Sequence, residues 1–142
     1  MTHVFFYHDA TDRVVAAARL IGKACMQQKA LLVFAPDDGV ADALDRQLWL
    51  HPVGGFIPHV RAGSPLAAQT PVVIARTLDA PDRCERLVNL GDDIPPDAER
   101  FGAIIEVVGD TPEMRQAGRE RVRRYREYNF PVKFFDLSGH GE

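Results

Sequence analysis

The chain has 142 residues, of which 46% are hydrophobic and 26% are charged, a composition too apolar for an intrinsically disordered protein. The formal net charge of -3 gives no reason to expect general attraction to nucleic acid or to an anionic membrane, because phosphate binding needs clustered Lys and Arg. The length fits one compact domain, which we expect to span residues 1–142.

The two cysteines, Cys25 and Cys84, are far apart and form no C-x-x-C pair. The sequence shows neither a secretory signal nor a long apolar span, so we expect a protein of the reducing cytoplasm. Cys25 lies within a helical pattern, which favours a small buried hydrophobic residue over a reactive thiol.

Strands and helices alternate in the first half of the chain. Residues 4–7 form a short apolar, aromatic run typical of a buried strand, and residues 30–35 form a second one. Each is followed by turn residues and a predicted helix. The apolar faces of the two helices are Val14, Ala17, Ile21 and Cys25, and then Val40, Leu44 and Leu48.

The second half begins with a long loop, residues 52–71, which has room for one short strand. Strands are predicted at residues 72–75, 87–90 and 103–108. Thr111 and Pro112 open a last helix that runs to about Tyr128, and residues 132–137 add an edge strand. This alternation predicts an α/β fold with an open, mainly parallel sheet and helices on both faces.

The positions after the strands carry acids rather than a glycine-rich phosphate loop, since the sequence has neither G-x-G-x-x-G nor a Walker lysine. We therefore expect no nucleotide cofactor. Four aspartates after two strands could hold magnesium if the strands were neighbours: Asp9, Asp12, Asp37 and Asp38. Helix capping explains aspartates there without a metal, and the histidines lack the spacing of a zinc site, so we expect no metal.

Aromatic residues stand out around the end of the second helix. Trp49 is the sole tryptophan of the chain, and Phe56 follows in the loop. Exposed aromatic residues of this kind are common anchors of protein interfaces. Closing the core under the long loop is an equally good explanation, and the spacing of the residues does not separate the two.

The last helix combines a basic and an apolar stripe. Its cationic stripe consists of Arg115, Arg119, Arg123 and Arg126, and its apolar stripe of Met114, Gly118, Val122 and Tyr125. Arginine pairs with carboxylates bidentately, so the two stripes suit an acidic peptide that ends in a hydrophobic residue. A solvated face is the alternative, although six arginines against three glutamates in this helix leave a positive excess.

These features together resemble the chi subunit family of bacterial DNA polymerase III over nearly the whole chain. The order and spacing of five segments carry the resemblance: Phe5-Phe6-Tyr7, the helix at 20–24, Leu44-Asp45 with Leu48-Trp49, Phe56-Ile57-Pro58-His59, and Arg119-Glu120-Arg121 up to Tyr125. The resemblance implies a fold like that of nucleotide-binding domains, without a nucleotide site. It also implies a non-catalytic adaptor that needs no cofactor and contacts neither nucleic acid nor membrane directly.

The resemblance implies two partners. One is the psi subunit, which links chi to the clamp loader, and its contacts correspond to Trp49, Phe56 and Pro58. The other is the acidic C-terminal tail of single-stranded DNA-binding protein. Its contacts correspond to Val108, Arg115, Arg119 and Arg123, with Tyr125 nearby, while Val122 stands where some members carry an aromatic residue.

Two other functions remain open at this point. The first is a small nucleotide- or phosphate-handling α/β enzyme with an Asp-bound metal, which micromolar binding of ATP, GTP or magnesium would support. The second is direct binding of single-stranded DNA, which predicts a steep dependence of oligonucleotide binding on salt.

Overall fold

A computed structural model describes residues 1–50, 57–66, 70–78 and 85–138. These residues form seven strands and three α-helices, in chain order β1 (His3–Ala10), α1 (Arg13–Met26), β2 (Leu31–Phe34), α2 (Asp38–Leu50), β3 (His59–Arg61), β4 (Val72–Ala75), β5 (Arg86–Asn89), β6 (Ala103–Gly109), α3 (Pro112–Glu127) and β7 (Val132–Asp136). The predicted helices and strands are thus present, with ends displaced by a few residues. A short 3₁₀ helix, Ala98–Arg100, was not predicted.

The strands form one sheet in the order β3-β4-β2-β5-β6-β1-β7, and each neighbouring pair is parallel. Helices α1 and α2 pack together on one face, while Val122 and Tyr125 of α3 pack on the other. The predicted α/β class with helices on both faces is confirmed. β3 and β7 are the outer strands of this sheet.

Polar side chains at the ends of the strands cap the helices that follow. The Asp12 carboxylate accepts hydrogen bonds from the backbone N–H groups of Val14 and Val15, at 3.0 and 3.1 Å. Thr111 caps α3 in the same way by accepting from the N–H of Met114, with Pro112 at the first helical position. These bonds satisfy donors that a helix start leaves without partners, which is why the chain turns into helices here.

Successive side chains of β1 point to opposite faces of the sheet, as in any strand. Phe5 and Tyr7 face the side of α1, whereas Val4 and Phe6 face the side of α3. β7 continues both faces, because Phe135 lies opposite Tyr7 and Phe134 lies opposite Phe6. One pair of strands therefore presents two different aromatic surfaces.

Gly118 lets α3 pack closely on the sheet. A Cβ atom at this position would lie 3.1 Å from the ring of Phe6 and from a methyl group of Val108. The close approach holds Arg115 and Arg119, on the adjoining turns of the helix, beside the edge of the sheet formed by β1 and β7.

Candidate functional site

An open groove of about 400 Å³ lies between α3 and the strands β1 and β7. We call it the arginine groove, and it is lined by apolar Phe6, Val108 and Phe134 together with polar His8, Asp9, Arg115 and Arg119. Phe6 and Val108 are buried beneath it, but 46% of Phe134 is exposed. The groove thus offers an accessible aromatic ring next to two guanidinium groups.

Strand register and helix period create this arrangement. Phe134 packs edge-to-face on Phe6, with ring centroids 5.4 Å apart. Arg115 and Arg119 are one helical turn apart and so project from the same side of α3. Arg126 extends the positive charge along the same rings, since its guanidinium lies 5.7 Å from the centre of Phe134.

Asp9 places a carboxylate inside the arginine groove. Its Oδ1 accepts a hydrogen bond from Nε of Arg115 at 3.0 Å, and its Oδ2 lies 2.7 Å from Nδ1 of His8. The backbone of Asp9 is left-handed, with φ 61°, next to a register shift in β1. This conformation is uncommon for residues other than glycine, although aspartate adopts it more readily than most. Arg115 therefore has an internal counter-charge.

Arg119 is differently placed. Its guanidinium donates to the neutral side chain of Gln116 at 3.0 Å, and among the described residues no carboxylate pairs with it. Arg119 is exposed at the rim of the groove. Its charge is therefore available to a bound anion.

Three of the residues predicted to contact an acidic tail come together in the groove, namely Val108, Arg115 and Arg119. Arg123 does not line it and instead forms exposed ion pairs with Glu120 and Glu127, at 3.0 and 2.6 Å. Eight residues separate Arg115 from Arg123, which turns the side chain about 80° around the helix. Arg123 therefore lies apart from the groove, whereas Arg126 shares the face of Arg115.

The structure also contradicts the prediction that Tyr125 lies at the surface that contacts the tail. The side chain is fully buried, and its hydroxyl donates to Oε2 of Glu106 at 2.5 Å. Val122, the position where an aromatic residue was noted, is buried against Phe6 and Val108. Val122 therefore supports the groove from below, whereas Tyr125 belongs to the neighbouring core cluster that includes Val4 and Ile104.

A buried polar network was not foreseen from the sequence. Glu106 accepts hydrogen bonds from Nε of Arg121 at 2.9 Å and from the Asn89 amide at 2.7 Å, in addition to that from Tyr125. Arg121 thus neutralises a core carboxylate and adds nothing to the surface charge of α3. The one available signal was the glutamate within the apolar run 103–108, which sequence inspection treated as part of a strand.

Burial, followed by the charge of Glu106, raises the pKa of Tyr125. The folded state thus keeps a proton that the unfolded chain loses above a pH of about 10. Its contribution to stability is fully present below that pH and is lost as the pH rises further. We expect Tyr125→Phe to flatten the alkaline fall of the free energy of unfolding, measured in urea, and exposed Tyr128→Phe to keep the wild-type slope. An unchanged slope in Tyr125→Phe would contradict this account.

Trp49 lies at the end of α2, and 55% of its side chain is exposed next to exposed Leu50. Its ring stands edge-on to the buried imidazole of His59, with centroids 5.0 Å apart. His59 is held by a hydrogen bond from Nδ1 to the carbonyl of Ile57, while Asp45 lies 3.1 Å from Nε2, out of line for a hydrogen bond. Of the two explanations for Trp49, an interface anchor and closure of the core, the exposure of its ring favours the first.

Two other residues, Phe56 and Pro58, were expected to contact the psi subunit together with Trp49. Pro58 is half-buried just before β3, whereas Phe56 lies outside the described residues. β3 and β7 are opposite edges of the sheet, so six strand spacings, or about 29 Å, separate β3 from the strand that carries Phe134. The surface formed by Trp49, Leu50 and Pro58, which we call the Trp49 surface, is therefore well separated from the arginine groove.

The four aspartates proposed for magnesium do not form one site. β5 and β6 lie between β1 and β2, so the acids after these two strands are far apart. Asp12 and Asp37 cap helices, and Asp38 pairs with Arg76. A different group, His8, Asp9 and Asp136, has ligand atoms within 4.8 Å of one another, but Arg115 beside Asp9 disfavours a cation there.

Comparison with known proteins agrees with this architecture. The family model for the DNA polymerase III chi subunit, HolC, matches residues 1–133. The chain is 31% identical to DNA polymerase III subunit chi of Pseudomonas aeruginosa over 137 residues, covering 94% of this chain and 95% of that one. Identity to the same subunit of Escherichia coli is 30% over 139 residues, covering 92% and 95%, and to that of Haemophilus influenzae 27% over 114 residues, covering 78% and 77%.

Helices in the described part of the chain lack the combined length and apolar content that a membrane crossing requires. The match to the family model extends over all three helices and into β7, and it includes the residues of the arginine groove except Phe134. The chain belongs to the DNA polymerase III chi subunit family and is thus a component of the DNA replication machinery.

Proposed function

We propose that this chain is a non-catalytic adaptor that binds the acidic C-terminal tail of single-stranded DNA-binding protein in the arginine groove. The observation that supports this function is the meeting of an exposed aromatic ring, Phe134, with the guanidinium groups of Arg115 and Arg119. A tail that ends in acids and a C-terminal phenylalanine needs both an apolar slot and cationic partners.

The groove can satisfy both needs at once. The terminal phenylalanine would pack against Phe134 and above Val108, where it gains the burial of an aromatic ring. Carboxylates of the tail would reach Arg119, which has no internal carboxylate partner among the described residues, and would share Arg115 with Asp9.

The Trp49 surface is the proposed contact for the psi subunit and, through it, for the clamp loader, with Phe56, outside the described residues, as a further proposed contact. Trp49 and Leu50 together expose a sizeable apolar area, which is typical of a protein-binding anchor. Because the two surfaces lie at opposite edges of the sheet, one chain could hold both partners at the same time. The proposal places the chain in the cytoplasm, where both partners would act.

Calorimetric titration tests the adaptor function. An acidic peptide with a C-terminal phenylalanine should bind, and the same peptide without that residue should bind much more weakly. Trp49→Ala should abolish capture of psi by the immobilised chain and leave peptide binding unchanged, because the two surfaces are separate. Failure of the peptide to bind, or equal binding with and without its phenylalanine, would rule out the proposed role of the groove.

A further inference from the structure

A second groove, of about 450 Å³, lies on the opposite face of β1, beside the C-terminal half of α1. Its floor is formed by Phe5, Tyr7 and Ile105, and cations stand around it at Lys23, Lys29 and Arg86. We call it the lysine groove. The described residues that line it include no aspartate or glutamate.

The aromatic floor continues beyond this groove to the edge of the sheet. Phe135 stacks on Tyr7, with ring centroids 4.6 Å apart and planes 16° from parallel, and less closely on Phe5. The ammonium group of Lys133 lies 5.6 Å from the centre of the Phe135 ring. This face of the sheet thus carries three neighbouring aromatic rings, those of Phe5, Tyr7 and Phe135. Lys133 lies beside Phe135, and the cations of the lysine groove lie beside Phe5 and Tyr7.

The cations of the groove are weakly neutralised. Arg86 has an exposed carboxylate, that of Glu85, at 3.7 Å, which is too distant for a good hydrogen bond. Lys23 and Lys29 are exposed and form no ion pair among the described residues. The positive potential is therefore local, although the chain as a whole carries a net charge of -3.

We infer that the lysine groove binds single-stranded nucleic acid. Each nucleotide combines a planar base with a phosphate, and an aromatic floor with a cationic rim matches both parts. An acidic peptide would use the cations but would have no planar base to stack on the part of the Phe5 and Tyr7 rings that faces the groove. Because the net charge of the chain is negative, the sequence predicts no general attraction to nucleic acid. Binding of single-stranded nucleic acid should therefore be weak and should depend on contact with the lysine groove.

The two grooves use opposite faces of β1, since Phe6 and His8 line the arginine groove whereas Phe5 and Tyr7 line the lysine groove. A peptide in the first should therefore not displace an oligonucleotide from the second. This inference does not depend on the proposed adaptor function.

Fluorescence anisotropy with a labelled oligothymidylate of about 15 nucleotides tests the inference at low salt. With three phosphates contacted, raising the salt threefold should weaken binding by about tenfold. Lys23→Glu should weaken it at least about fivefold. The matched control is Arg46→Glu, an equal charge change at an exposed position of α2 that does not line the groove, and it should stay near wild type.

Ultraviolet cross-linking of the same oligonucleotide to the wild-type chain gives a second measurement that needs no variant. Cross-links should map to the peptide that contains Phe5 and Tyr7. Absence of binding at low salt, equal weakening by Lys23→Glu and Arg46→Glu, or cross-links confined to other peptides would overturn the inference. An acidic peptide could also displace the oligonucleotide. If that peptide still binds the Arg119→Ala variant, its site is not the arginine groove, and the lysine groove is assigned to a protein partner instead.

Discussion

Replacing Glu106 by Gln should lower the free energy of unfolding by about 3 to 5 kcal/mol, because it leaves a buried cation without its counter-charge. The side chain of Arg121 is 3% exposed and that of Glu106 is fully buried, so water cannot replace the lost partner. Arg13, another largely buried cation, has its pKa lowered by burial and then by Arg121, while Glu106 opposes this. Without Glu106 the repulsion between the two arginines would be opposed less, by the exposed carboxylate of Asp92, 3.8 Å from Arg13.

Urea unfolding followed by circular dichroism measures this effect. The matched control is Glu127→Gln, which removes the same charge from an exposed pair with Arg123 and should cost about 0 to 1 kcal/mol. If Glu106→Gln does not fold, the double variant Glu106→Gln with Arg121→Met should recover much of the loss, since the uncompensated cation is then absent. A cost near that of the control, or no recovery in the double variant, would contradict the account.

Replacing Arg119 by Ala should weaken binding of the acidic tail by roughly tenfold to a hundredfold, equivalent to about 1.5 to 3 kcal/mol. Arg119 is the groove arginine without an internal carboxylate among the described residues, so a bound carboxylate gains its full hydrogen bond. The stability of the fold should hardly change, because Arg119 is exposed and, among the described residues, its side chain bonds only to Gln116 on its own helix.

Fluorescence anisotropy with a labelled tail peptide measures this loss, with Arg123→Ala as the control. Arg123 lies outside the groove and should leave affinity close to wild type, in contrast to what the sequence predicted. Binding should also weaken between low and moderate salt because screening shortens the reach of exposed charges. Wild-type affinity in Arg119→Ala, or binding that ignores salt, would show that these arginines form only a solvated face.

Much of the fold could be predicted from local signals. The caps at Asp12 and Thr111 are short-range chemistry, and the strands are continuous apolar runs with turns at their ends. The order of the strands could not be predicted in this way, because it depends on packing between distant segments. For that reason the aspartates after β1 and β2 were treated as possible neighbours, although two strands separate them.

The residues of the candidate site show the same difference between local signals and packing of distant segments. Arg115 and Arg119 were found because a helix period places them together, but the difference between Arg123 and Arg126 depends on which side of α3 faces the sheet. Phe134 was missed because it joins the groove only when β7 pairs with β1. Tyr125 was misassigned for the opposite reason, since its polar partner is Glu106, on a strand packed beneath the helix.

The carboxylate of Asp9 makes binding at Arg115 a competition between anions. A small anion with a single negative charge, such as chloride, would have to compete with Asp9 for Arg115 and would gain little from doing so. A chain end with several acids and an aromatic side chain can leave that pair in place and gain from Arg119 and Phe134 instead. Asp9 thereby disfavours small anions at Arg115, while Arg119 and Phe134 remain open to an extended acidic peptide.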